Sequence, residues 1–345
     1  MHTILTFQQA IKEAPSSGKR HLLLGNGFSI SCRPDIFRYG KLFEQADFAN
    51  LSPQAKKAFE RLGTMDFEQV IRTLRDGAAL ADLYGSEKDV TSQMSRDADA
   101  LKEVLVKTIA ASHPERPGDI SHAEYDACKG FLNYFDDVYT FNYDLLVYWA
   151  MMHTEGQPTS TSDDGFRTSQ HDIDSGIESD YVVWESGQSH DQNLYYLHGA
   201  LHIFDSGTEI RKYTWKRTGV RLIDQVRAAL EQDYFPLFVA EGTSDEKLER
   251  IRHSDYLAKA YRSFENIQGT VFIYGHSLAE NDEHYLRVLE NGKVSTLFVG
   301  LFGDASSASN KRIIARAEAM VPKRGPKRPL TVRFFQSETA EVWGR

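Results

Sequence analysis

Short apolar runs that end in glycine, asparagine or another turn-forming residue recur along this chain, separated by long stretches with helical periodicity. The runs are HLLLG (21–25), DVYTFN (137–142), LYYLHG (194–199), TVFIYG (270–275), STLFVGLFG (295–303) and LTVRFF (330–335). Several are apolar throughout rather than alternating, which is the pattern of strands covered by helices on both faces of a parallel sheet. At 345 residues, 41% of them hydrophobic, the chain has ample material for a core. The expectation is an α/β fold with a doubly wound, mainly parallel, Rossmann-like sheet.

Between the first two runs lies a helical insertion, expected over 45–130. It contains FEQVIRTLRDGAALADLY (67–84) and SRDADALKEVLVKTIAAS (95–112), both with apolar residues at helical spacing. Residues 156–192 turn polar, rich in Ser, Asp, Gly and Thr. They are expected to form an irregular excursion near the site, with YVVWE (181–185) as a short strand inside it. The whole of 1–345 is otherwise read as one α/β domain, and PKRGPKRP (322–329) as a solvated connector.

Composition removes several classes of function. With 40 basic against 49 acidic residues, the surface lacks the positive field of a phosphate-tracking protein, so direct nucleic-acid binding is not expected. Cys32 and Cys128 are far apart and form no C-x-x-C pair, which speaks against a zinc ribbon or a disulfide framework. His171, His190 and His253 match no metal-ligand spacing, and no metal is expected. The opening MHTILTFQQAIKEAPSSGKR does not read as a leader, and no apolar stretch is long enough for a membrane helix. A soluble, cytoplasmic protein is expected.

The candidate chemistry collects at the ends of the strands, where open α/β sheets bind ligands. The first run closes in Gly25-Asn26-Gly27-Phe28-Ser29, a turn in which backbone amides can approach a pyrophosphate, although the third glycine of the dinucleotide fingerprint is missing. The second places Asn142 and Asp144 at the sheet edge, where one of them can instead cap the next helix. The third delivers His198, followed by Gly199, with His202 as a competitor for the same role. The fourth ends in Gly275-His276-Ser277-Leu278, with Asn281 and Asp282 beyond it as ligand contacts or helix caps. Glu68, in Met65-Asp66-Phe67-Glu68 of the insertion, has two readings: a carboxylate that reaches the cleft, and, as the default, an exposed helix carboxylate.

The order G-x-G-x-S, N-x-D, H-G, G-x-S-L resembles the sirtuin family over Leu22 to about Asp304. It is most similar to the bacterial NAD-hydrolysing branch associated with anti-phage defence. The resemblance implies that Gly25, Asn26, Gly27 and Ser29 line the dinucleotide phosphates. It implies Asn142 and Asp144 at the nicotinamide ribose or a water, and His198 as the general base. Gly275, Ser277 and Asp282 would meet the other side of the dinucleotide. The family's Pro-Asp-Phe-Arg element appears here as Pro34-Asp35-Ile36-Phe37-Arg38, interrupted by one residue, and carries over Arg38. The region after His198-Gly199 lacks the four cysteines of the protein-deacylating sirtuins, which argues against deacylation.

The implied activity is hydrolysis of NAD, as substrate, to nicotinamide and ADP-ribose without a metal. Control by self-association or by a regulatory protein partner is also expected. The alternative is a non-catalytic sensor of NAD or ADP-ribose that signals to a partner.

Overall fold

The computed structural model describes residues 3–153, 162–176, 178–189, 191–240 and 244–345. In chain order its strands are β1 Ile4–Leu5, β2 Arg20–Leu24, β3 Asp137–Thr140, β4 Phe166–Arg167, β5 Tyr181–Trp184, β6 Leu194–Tyr196, β7 Ile203–Asp205, β8 Ile210–Tyr213, β9 Gln268–Tyr274, β10 Lys293–Leu301 and β11 Thr331–Gln336. Seven of them form the central sheet in the order β1-β11-β10-β9-β2-β3-β6, with every neighbouring pair parallel.

From β2 the sheet grows outward through β3 to β6. The chain then returns to the other side of β2 and grows the opposite way through β9, β10 and β11. With β1 set aside as an added edge, this is the doubly wound order 3-2-1-4-5-6. Its direction of growth reverses between β2 and β9. At such a reversal the loops leaving the two strands diverge and open a crevice. The strands beside it are sealed on both faces: Leu22, Leu23 and Leu24 of β2 and Val271, Phe272 and Ile273 of β9 have no exposed surface. That accounts for their unbroken apolar sequence.

Every regular element from Gly27 to Leu132 is a helix, a wider span than the 45–130 expected. Ser52 accepts from the Ala55 amide and Asp66 from those of Glu68 and Gln69, so each starts its helix with a side-chain cap. Phe43, Phe48, Phe59 and Phe67 stack together beneath these helices, with ring centroids 4.9 Å apart for Phe43 and Phe59 and 5.0 Å for Phe59 and Phe67. The insertion thereby becomes one wall of the crevice.

The excursion at 156–192 is more regular than expected. Its described part carries β4, the helix Gln170–Ser175 and β5, and these strands join β8 and β7 in an antiparallel sheet ordered β4-β5-β8-β7. Arg217 locks it, donating to Asp172 at 3.0 Å and to the carbonyls of Ser179 and Tyr181. None of its described residues lines the crevice. Residues 154–161 and His190 lie outside the described residues.

Arg324, in the basic stretch, is no free solvated charge: it donates to the carbonyls of Leu289, Gly292 and Val294. Cys32 and Cys128 are buried free thiols. Among the described residues no helix is long and apolar enough to cross a membrane.

Candidate active site

A cavity of about 710 Å³ opens at the reversal point, along the carboxyl ends of β2, β3, β6, β9, β10 and β11. Of the residues singled out from sequence, Gly25, Asn26, Gly27, Arg38, Asn142, Asp144, His198, Gly275, Ser277 and Asp282 all line it. Ser29 does not.

The glycines have a different reason for being there than phosphate binding. The amide of Gly25 donates to the Tyr274 carbonyl at 2.9 Å, and that of Gly27 to the Gly275 carbonyl at 2.8 Å. A Cβ on Gly25 would lie 2.6 Å from the Gly275 oxygen, and one on Gly27 2.5 Å from the Gly275 Cα. The two loops are in backbone contact across the reversal, which only glycine permits. Both amides are therefore occupied by protein carbonyls rather than offered to a pyrophosphate. Asn26 is likewise engaged, its Nδ2 donating to the Phe37 carbonyl at 3.1 Å. Arg38 is exposed at the rim.

Beneath this contact lies a buried chain of hydrogen bonds. Asn142 Nδ2 donates to Ser29 Oγ at 3.0 Å, and the Ser29 hydroxyl donates to Asp144 Oδ2 at 2.5 Å. Asp144 Oδ1 accepts the Leu146 amide at 2.9 Å, the first amide of the helix Leu146–Met152. Burial raises the Asp144 pKa, against which the Ser29 and Leu146 hydrogen bonds work. Ser29, expected on the ligand, instead has no exposed surface and ties Asn142 to Asp144.

The next turn of backbone is held from the insertion. The Leu145 amide donates to His113 Nε2 at 3.0 Å while His113 Nδ1 faces the Pro114 carbonyl at 2.9 Å, so the ring is neutral with its proton on Nδ1. Burial lowers the His113 pKa to about 4. In the unfolded chain the ring takes its proton below about 6.5, whereas the folded chain resists doing so until about pH 4, so stability is lost as pH falls through that window. Between pH 6.5 and 5 this group is expected to remove on the order of 2 kcal/mol. The check is denaturant unfolding at both pH values together with the His113 ring resonance. A ring that titrates near 6.5 in the folded chain would contradict the assignment.

His198 is 2% exposed, and its Nε2 points at Asp282 Oδ1 from 3.6 Å, neither atom having a hydrogen bond. Burial, and then the nearby Lys247 charge, push the His198 pKa well below its ordinary value, so the ring is neutral. Asp282 Oδ2 accepts from His276 Nε2 at 2.9 Å. The tautomer follows from His276 Nδ1 accepting the Leu278 amide at 3.0 Å. Leu278 itself sits at φ 53°, a left-handed conformation that is costly for leucine. Burial favours protonation of Asp282, but the Lys247 charge and the His276 hydrogen bond prevail and hold its pKa below the carboxylate range. Asp282 makes no side-chain cap to the helix Glu283–Asn291. His202, the competitor of His198, has no exposed surface and lies off the cavity.

Sequence reasoning missed one partner of this cluster, Lys247. Lys247, from the helix Ser244–His253, is fully buried, with Nζ 3.2 Å from Glu68 and 3.6 Å from Asp282. Of the two readings for Glu68 the structure has the one that reaches the cleft rather than the default exposed carboxylate: it lines the cavity and its side chain is 18% exposed. The signal for Lys247 is that it shares the buried face of its helix with Ile251, four residues on.

Fold and site together define a Rossmann-like α/β protein with a cleft at its topological reversal, where polar strand-end residues meet a largely apolar lining. The chain belongs to the family described as a domain of unknown function (DUF4917), which it matches over residues 22–343. No curated protein matches it in sequence.

Proposed function

We propose that the cleft binds NAD and that the chain hydrolyses its nicotinamide–ribose bond, giving nicotinamide and ADP-ribose. The observation that carries the reading is the meeting of Asn142, Asp144 and His198, from the ends of two neighbouring strands, in one cavity at the reversal point. A doubly wound sheet receives the two halves of a dinucleotide on either side of that point. On the far side Phe302 is 74% exposed at the cavity and Glu338 accepts the Gly303 amide at 2.7 Å, which suits a second nucleoside. The resemblance of the strand-end motifs to sirtuins supplies the substrate.

In the reaction the bond from ribose C1′ to the pyridinium nitrogen breaks, and its electron pair neutralises the departing base. Positive charge develops on the sugar, and water adds at C1′. Asn142 orients that water and the ribose hydroxyls. Asp144, whose two oxygens already accept from Ser29 and Leu146, acts by holding Asn142 through Ser29 and by its charge at the cavity wall. His198 directs Nε2 at Asp282, which leaves Nδ1 to take the proton of the water, and Asp282 stabilises the imidazolium that results. Arg38 at the rim and Ser277 meet the phosphates. The proposal includes a cytoplasmic location, no direct nucleic-acid binding, and control by self-association or a protein partner, with a role in anti-phage defence.

The second reading, a sensor that binds NAD or ADP-ribose without turnover, is favoured by the depth of His198, only 2% exposed. Turnover in ¹⁸O-labelled water separates the possibilities. Hydrolysis puts one label on C1′ of ADP-ribose, transfer to another nucleophile gives an unlabelled adduct, and a sensor leaves NAD intact. Either of the last two outcomes overturns the proposal.

A further inference from the structure

Glu68 stands at the start of the helix Phe67–Leu83 and accepts from three other parts of the fold. Tyr143 OH donates from 3.3 Å, Asn281 Nδ2 from 3.0 Å and Lys247 Nζ from 3.2 Å. Burial, and then Asp282, push the Glu68 pKa up, against which the Lys247 charge and hydrogen bond work. Lys247, fully buried, divides its ammonium between Glu68 and Asp282. A buried ammonium holds its charge only while counter-charges stay beside it. Whatever Glu68 does not supply, Asp282 must, and Asp282 is also the carboxylate that faces His198 Nε2. The groups around His198 are Asp282, Lys247, His276, His284, Tyr143 and Tyr285. Of these, Lys247 and Asp282 carry its balance of charge.

We infer that Glu68 and Lys247 are positioning residues for His198: through their ion pair the helical insertion sets how much of the Asp282 carboxylate is available to the ring. Seating of the insertion and proton acceptance at the sheet edge are then one event. The inference rests on His198 being the proton acceptor of the proposed reaction.

Two single substitutions have opposite effects. In Glu68→Gln, Lys247 turns wholly to Asp282, and His198 stays unprotonated down to the lowest pH at which the chain remains folded. In Lys247→Met, Asp282 is released to His198, and the ring titrates at least about one pH unit higher than in the wild type. Lys247→Arg restores wild-type behaviour. Should Lys247→Met not fold, the double variant Glu68→Gln/Lys247→Met removes the pair together and gives the same upward shift. The measurements are the His198 ring resonance of the isotope-labelled full chain against pH and the pH profile of nicotinamide release. A His198 titration that is unmoved in Lys247→Met or in the double variant, or that rises in Glu68→Gln as well, overturns the inference. The titration needs no turnover. Opposite shifts without nicotinamide release from the wild type would sink the catalytic reading and keep the coupling. Release with unmoved titration and profile would do the reverse.

Discussion

Gly275→Ala is expected to cost the fold about 3 kcal/mol or more and to abolish NAD binding. Gly275 has φ +69°, and a Cβ there would lie 2.6 Å from the Gly27 Cα and 2.7 Å from the Phe28 amide nitrogen. Those neighbours are backbone of the opposite loop, so relief requires the two loops to separate, and their contact is the floor of the cleft. Gly63 is the control. It caps the helix Pro53–Leu62 at φ +62° with nothing within 4 Å of its Cβ position, so Gly63→Ala carries only the left-handed strain, about 1 kcal/mol. Urea unfolding of both variants compares the two costs. Equal losses would show that the loop contact contributes nothing.

His198→Ala is expected to lower the rate of nicotinamide release by roughly 10²- to 10⁴-fold while NAD affinity changes only several-fold, because the ring takes its proton as water adds and makes no large contact in the ground state. Asn142→Ala should lose a comparable factor, since water and ribose are then no longer oriented. The contrast within one short segment is His202→Ala. His202 packs against Tyr148 and Tyr196 with ring centroids 4.8 and 5.3 Å away, off the cavity, so its removal should reduce stability and leave turnover per folded molecule unchanged. Full release from folded His198→Ala would remove His198 from the chemistry.

The sheet was legible because its central strands are apolar over their whole length, and periodicity reports burial on both faces. All six expected runs are strands. Strand β1 escaped because two residues, Ile4 and Leu5, make no period. The order of strands was not readable either: parallel neighbours such as β2 and β9 are separated by residues 25–267, and no local signal encodes their pairing. At the site, strand ends told where polar residues gather, and ten of the eleven expected residues line the cavity. What local reading could not supply is what each one touches. Gly27 looked like a phosphate turn because its partner Gly275 is remote in sequence. Ser29 looked like a ligand contact because Asp144, which accepts its hydrogen bond, comes from the end of another strand. Lys247 was invisible in SDEKLERIRH, where one lysine among many charges reads as solvent face until Glu68 and Asp282 arrive from elsewhere.

The most direct test of the central claim is to incubate the purified chain with NAD at several protein concentrations and follow free nicotinamide and ADP-ribose together. The account predicts their release in equal amounts, rising with protein concentration and lost in folded His198→Ala and Asn142→Ala. Saturable NAD binding with the dinucleotide intact at every concentration would contradict it and would make the cleft a sensor.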